Sequence, residues 1–225
     1  MDTSGEGTAN VVLYLMVLAI FVNVAIRLVR LSPLPRRFPW VALGAVVLIG
    51  VPSLLQFAVP GLGQAIARNP ELTLEHGQWW RVLTAVAAQD GGPAAAAFNL
   101  VVVALAVAVG EWTWGRWRTA LLFLLPSIAL NLLAIAWDRP GGGSSFAGDG
   151  LMFSVLALGA LVGARLLRVL CAAAVVIAAA SILWLDDAHG VAMLLGAVLG
   201  LLFGPGVRSR WSPRRAVADY PAPPG

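Results

Sequence analysis

The chain has 225 residues, 60% of them hydrophobic and only 12% charged, against about 45–50% and about 25% in soluble domains. With a mean hydropathy of +0.85, this excludes a disordered chain, a coiled coil and an ordinary soluble enzyme. It leaves an all-α, polytopic membrane helical bundle, because the apolar stretches are continuous and do not alternate as the strands of an outer-membrane barrel do. The net charge of +4 comes from arginine alone, in short clusters between apolar runs, so it marks membrane topology and not a nucleic-acid partner. The single cysteine, Cys171, lies within an apolar run, which leaves no disulfide framework and no thiolate metal site.

Seven apolar runs follow one another at residues 11–26, 41–59, 95–110, 120–137, 151–167, 169–185 and 188–203. Each reaches the roughly 20 residues that a hydrocarbon core requires once its flanks are counted. The first is preceded by an acidic leader with Asp2 and Glu6 and followed by Arg27, Arg30, Arg36 and Arg37. It reads as an uncleaved anchor with its N-terminus outside. Alternating sides through seven spans puts twelve of the 15 arginines inside, leaving Arg68, Arg81 and Arg139 outside. That bias predicts an integral plasma-membrane protein with its C-terminus inside. The nine tryptophans fall near span ends, as an interfacial belt does.

The long outer segment 60–94 carries Pro-Gly, Asn-Pro and Gly-Gly breakers and the string Gly77-Gln78-Trp79-Trp80-Arg81. A second outer loop, 138–147, is rich in Gly and Ser and reads as mobile. Glu111 ends the third span beside Arg116 and Arg118, and Asn131 is placed for an interhelical hydrogen bond. Pro52 and Pro126 kink or locally unwind their helices. In the last span Ala188, Ala192, Gly196, Gly200 and Gly204 recur at every fourth position, a stripe for close helix packing. Asp149 and His189 start the fifth and seventh spans on the same side, so they could meet, structurally or catalytically.

Five ordered pieces resemble the rhomboid family of intramembrane serine proteases, over about residues 38–205. Gly77-Gln78-x-Trp80-Arg81-x-Leu83-Thr84 is similar to the family's GQxWRLLT segment, and Asn99 falls on the Asn of HxxxN. Gly110-Glu111-Trp112-x-x-Gly115-x-x-Arg118 is similar to the stretch ending the following span. Gly148-Asp149-Gly150-Leu151-Met152-Phe153 lies on GASGAIFG, and Ala188-His189-x-x-Ala192-x-x-x-Gly196 on AHxxGxxxG. The resemblance implies a six-helix core at 38–206 that cleaves transmembrane segments with a Ser–His dyad and an oxyanion site. Residues 1–37 then form an extra N-terminal helix with an arginine linker, and 207–225 a disordered basic tail.

The match departs at the chemistry. Asp149 stands at the nucleophile position and Ala95 at the first residue of HxxxN, while His189 and Asn99 remain. The expectation is therefore a degenerate site in a pseudoprotease that binds transmembrane helices or membrane partners. The alternative is an active peptidase with a displaced serine: Ser154, about 7.5 Å deeper along the helix, or Ser144 or Ser145 in the preceding loop. A third reading, a transporter titrating Asp149, His189, Asp186 and Asp187, lacks an inverted repeat. The expected partners are the lipid bilayer and other transmembrane segments. No motif points to a cofactor or a metal.

Overall fold

The computed structural model describes residues 3–32, 37–185 and 187–208. The remaining stretches hold Asp186, Trp211 and most of the predicted tail, which lie outside the described residues. Seven long helices carry the fold: α1 (Thr3–Leu31), α2 (Trp40–Leu55), α3 (Gly92–Thr113), α4 (Arg116–Ala136), α5 (Ser145–Val162), α6 (Arg165–Leu185) and α7 (Ala188–Phe203). Short helical turns at Leu62–Ile66, Pro70–Leu74 and Arg81–Thr84 build the α2–α3 connection. Among the described residues five helices are long and apolar enough to cross a membrane: Val11–Leu31 within α1, α3, α4, α5 and most of α6. The chain is therefore membrane-embedded, and α2 and α7 are apolar helices of 16 residues each.

Local sequence sets the breaks. Pro93 opens α3 behind Gly92 at φ +80°, and Gly115 at φ +82° turns the chain from α3 into α4. Gly163 ends α5 where a Cβ would collide with Leu167 Cβ at 2.6 Å. Glu111, buried near the end of α3, accepts hydrogen bonds from the Val41 and Ala42 amides at 2.8 and 3.4 Å and pairs with Arg116 at 3.1 Å. Its carboxylate thus satisfies the orphan donors at the start of α2 and complements that helix dipole. Trp114 departs from the predicted belt. It is 1% exposed and sits in the core at the α3–α4 turn, because the chain reverses there against α5 and not at a lipid surface.

α5 is the centre of the bundle. Ala147 through Gly159 are buried without interruption, as expected of a helix that is apolar all round. The α7 stripe lies on it. A Cβ on Gly196 would collide with the backbone of Gly150, and one on Gly200 would sit 2.7 Å from Ser154 Cα. On the opposite side of Gly150, a Cβ would collide with the ring of Pro126 of α4. α1 packs on α5 and α6 through Val17, Phe21, Val24 and Leu28, which are all buried. A Cβ on Gly159 would lie 2.9 Å from Val24 Cγ1, so α1 also approaches over a glycine.

The packing makes a direct contrast. Gly196→Ala drives a methyl into backbone that cannot rotate away and is expected to destabilise by about 1–3 kcal/mol or more. Gly44→Ala in α2, with nothing within 4 Å, is expected to be neutral or stabilising by up to about 1 kcal/mol. Melting in detergent checks both, and equal effects would mean that the α5–α7 contact is not the close one described.

Candidate functional site

The site forms where α5 and α7 begin. α5 starts at Ser145, six residues before the apolar run that marks it in the sequence, so Ser145 is helical and not in the loop. α7 is capped by Asp187, whose Oδ1 accepts from the His189 amide at 2.9 Å. The same oxygen lies 2.6 Å from His189 Nδ1, and His189 Nε2 lies 3.0 Å from Ser145 Oγ. With Asp187 ionised, Nδ1–H donates to the carboxylate and Nε2 is left as the acceptor for the serine hydroxyl. Phe146 holds the other side of the imidazole, with ring centroids 5.1 Å apart. Burial pushes the Asp187 carboxyl up, but its hydrogen bonds and charge interaction with His189 outweigh this and hold it below the usual range.

A cavity of about 270 Å³ opens on this row, and it is also lined by Asn99, Phe98 and Tyr14. Asn99 Nδ2 donates to Gln89 Oε1 at 3.0 Å, and an amide carries a second N–H. Gln89 in turn donates to Ser53 Oγ and Ser144 Oγ at 3.3 and 3.2 Å, while its backbone amide donates to Gln56 Oε1. Ser144 is thus a buried structural acceptor beside Ser145. The first amides of α5 have no acceptor earlier in their own helix and set a positive helix end beside Ser145.

Two buried arginines frame the site. Arg81 donates through Nε to Gln78 Oε1 at 2.7 Å and through Nη1 to the carbonyls of Gln64 and Ala67 at 2.9 and 2.6 Å. Gly77 supplies the positive φ of +68° that turns the chain before it, and Trp80 points outward, 55% exposed. Arg68 donates to the Arg139 carbonyl, Pro140 carbonyl and Asn131 Oδ1. Its backbone pairs with Gly141, and Asn131 Nδ2 donates to the Val82 carbonyl at 3.2 Å. Burial pushes the Arg68 guanidinium down against the opposing charge of Asp90. The Gly-Ser loop before α5, expected to be mobile, is therefore pinned. Gly143 N–H donates to Ala85 O at 2.9 Å, and a Cβ on Gly142 would sit 2.6 Å from that same oxygen. The glycines are there for positive φ and close approach, not for freedom.

Asp149 and His189 come near enough to interact through charge, while Asp187 and Ser145 take up both imidazole nitrogens. Asp149 lies one helical turn beyond Ser145 on the same face of α5. It is fully buried, and its polar partner is the Tyr14 side chain of α1. Ser154 is buried deeper and donates to the Leu151 carbonyl at 2.7 Å. Ala95 is half-buried and offers no polar atom at the site. Glu71, Glu75 and His76 gather on an exposed surface of the α2–α3 connection, apart from the Ser145 row. The role missed in the sequence is that of Asp187. Its signal was an Asp two residues before a His at a helix start, the pattern of an N-cap. No family model, curated protein or solved structure matches the chain.

Asp187→Asn keeps the cap but removes the charge. Because the Asp187 value is lowered on folding, its ionised form contributes stability above the ordinary carboxylate value of about 4. That contribution is lost as pH falls through the lower folded value. The melting difference between the parent and Asp187→Asn is therefore expected near pH 7 and should vanish on acidification. A difference that persists unchanged in acid would mean that the charge is not what Asp187 contributes.

Proposed function

We propose that the protein is a rhomboid-like intramembrane serine peptidase whose nucleophile is Ser145, with His189 as general base and Asp187 as the group orienting it. The single observation that carries this reading is the row Ser145 Oγ–His189 Nε2–His189 Nδ1–Asp187 Oδ1, at 3.0 and 2.6 Å, facing a cavity lined by Asn99. Nucleophile, base and orienting acid at hydrogen-bond distance form the arrangement that activates a hydroxyl. It moves the nucleophile one helical turn from Asp149, on the same face of the same helix, so the topology implied by the resemblance is kept.

The chemistry then follows from the atoms. His189 Nε2 takes the Ser145 proton as Oγ attacks the carbonyl carbon of a peptide bond. The oxyanion is met by the Asn99 amide and by the first N–H groups of α5. His189 returns the proton to the leaving amine as the C–N bond breaks, and water releases the acyl group by the same path. The substrates in this reading are transmembrane segments of other proteins. The chain crosses the plasma membrane seven times with its N-terminus outside, as the arginine distribution favours.

The non-catalytic reading keeps one support: Asp149 and Ala95 stand where the family motifs carry Ser and His. Fluorophosphonate labelling and cleavage of a transmembrane reporter in liposomes separate the two. Labelling is expected in the unmodified protein, lost in Ser145→Ala and His189→Ala, and retained in Ser154→Ala. Asp187→Asn is expected to lose roughly 10²–10⁴-fold in turnover. No labelling in the unmodified protein, with cleavage appearing only in Asp149→Ser plus Ala95→His, would establish the pseudoprotease instead.

A further inference from the structure

We infer that the α2–α3 connection holds an anionic phospholipid, with the headgroup phosphate against Arg81 and Arg68 and an acyl chain in the apolar cavity between α2 and α4. The inference goes beyond the peptidase reading and does not depend on it. Two cavities meet here, and neither shares a lining residue with the Ser145 cavity. The first, of about 850 Å³, is polar, with Arg68, Arg81, Asp90, Gln64 and Asn69 on its walls. The second, of about 510 Å³, is apolar but for Thr84, with Gly44 and Leu48 of α2 facing Phe123 and Leu124 of α4. Three stretches of chain pass from one to the other. Pro52 lines the apolar cavity and Gln56, one turn on, the polar one. Ile66 lines the apolar cavity and its neighbours Ala65 and Ala67 the polar one. Ala87 and Gln89 divide in the same way. A polar chamber thus adjoins an apolar one, as a headgroup adjoins its chain.

The polar chamber carries uncompensated positive charge. Arg68 and Arg81 are 7% and 6% exposed. Every acceptor that they reach is neutral: backbone carbonyls, Gln78 and Asn131. Asp90 is the one carboxylate among the lining residues. Its charge opposes that of Arg68, and its Oδ2 already accepts from the Gly142 amide at 3.0 Å. A guanidinium has five N–H groups. Arg81 commits Nε and Nη1 to Gln78, Gln64 and Ala67, and its Nη2 meets no acceptor among the described residues. Two buried cations against one carboxylate leave a charge to be met, and a buried unpaired charge is costly. A phosphate supplies it and suits the guanidinium fork. The setting supplies the chain. Trp79, Trp80 and Leu83 of the same connection are exposed, as groups at a membrane surface are, and Leu83 also lines the apolar cavity. A free phosphate fills only the polar half, whereas an anionic phospholipid fills both.

Native mass spectrometry of the whole chain in detergent micelles tests the site, with dioleoylphosphatidylglycerol, dioleoylphosphatidylcholine or inorganic phosphate added. Phosphatidylglycerol is expected to remain bound at several-fold higher occupancy than phosphatidylcholine. Gln64→Glu puts a carboxylate at an exposed position beside Arg81 and is expected to cut phosphatidylglycerol retention several-fold. Gly44→Leu fills the apolar cavity from a position where a Cβ meets nothing within 4 Å, and it should cut retention as well. Equal retention of the two lipids, or phosphatidylglycerol retention unchanged in both variants, would overturn the site. Inorganic phosphate that raises the melting temperature as much as phosphatidylglycerol, with Gly44→Leu without effect, would assign the polar cavity to a free anion and overturn the lipid. No arm reads turnover, so failure of the peptidase reading would leave the result standing.

Discussion

The site depends on the backbone contact between α5 and α7. Ser145 and His189 come from helices separated by more than forty residues, and a 3.0 Å contact between them tolerates little slippage. Gly150 and Gly196 set the register a short distance inside both helix starts. With no side chain on either, the two backbones touch, and the rotation of one helix about the other is fixed by van der Waals contact. In lipid, association rests on such packing because burial from water provides no drive. Pro126 closes on Gly150 from α4, so α5 is held from two sides and Ser145 rides on a tightly packed helix.

Around this apolar axis stands a polar frame at the end of the bundle. Arg68, Arg81 and Asn131 supply donors to backbone carbonyls, and Gln89 bridges the Ser53 and Ser144 hydroxyls. The frame holds the loop before α5 and the segment before α3 against each other. That places Asn99 and Ser145 on one cavity through Gln89. Positioning here is done by buried charge-assisted hydrogen bonds at the rim and by glycine contact in the interior.

Much of the architecture was legible. Continuous apolar runs give the helices, the four-residue glycine and alanine period gives the α7 packing face, and the Arg81 string becomes a clamp only when its carbonyl partners are seen. The start of α5 was not legible. Gly141-Gly142-Gly143-Ser144-Ser145 has the composition of a loop, and the helix begins in it because tertiary hydrogen bonds to Ala85 and Arg68 pin the glycines. Ser145 therefore reads in the sequence as a loop serine, one alternative among three, and its place on the helix face one turn before Asp149 comes only from the fold. Trp114 misled for a related reason: closeness to a span end in sequence does not say which side of the turn faces lipid. Asp187 was visible as a residue but not as a partner, because an N-cap and an imidazole-orienting group share the same spacing.

The burial of Asp149 also bears on how the chain is assembled. Among the described residues α5 is the least hydropathic of the five long apolar helices and carries a buried carboxyl, Asp149, whose polar partner Tyr14 comes from another helix. It is therefore the poorest of them at partitioning into lipid alone. Yet α1, α3 and α4, which form three of its walls, all precede it in the chain. A ribosome delivering the protein in order presents α5 to a half-built bundle and not to bare bilayer, and α7 arrives last to seal the remaining side. The order of helices in the gene thus solves an insertion problem that the finished fold conceals.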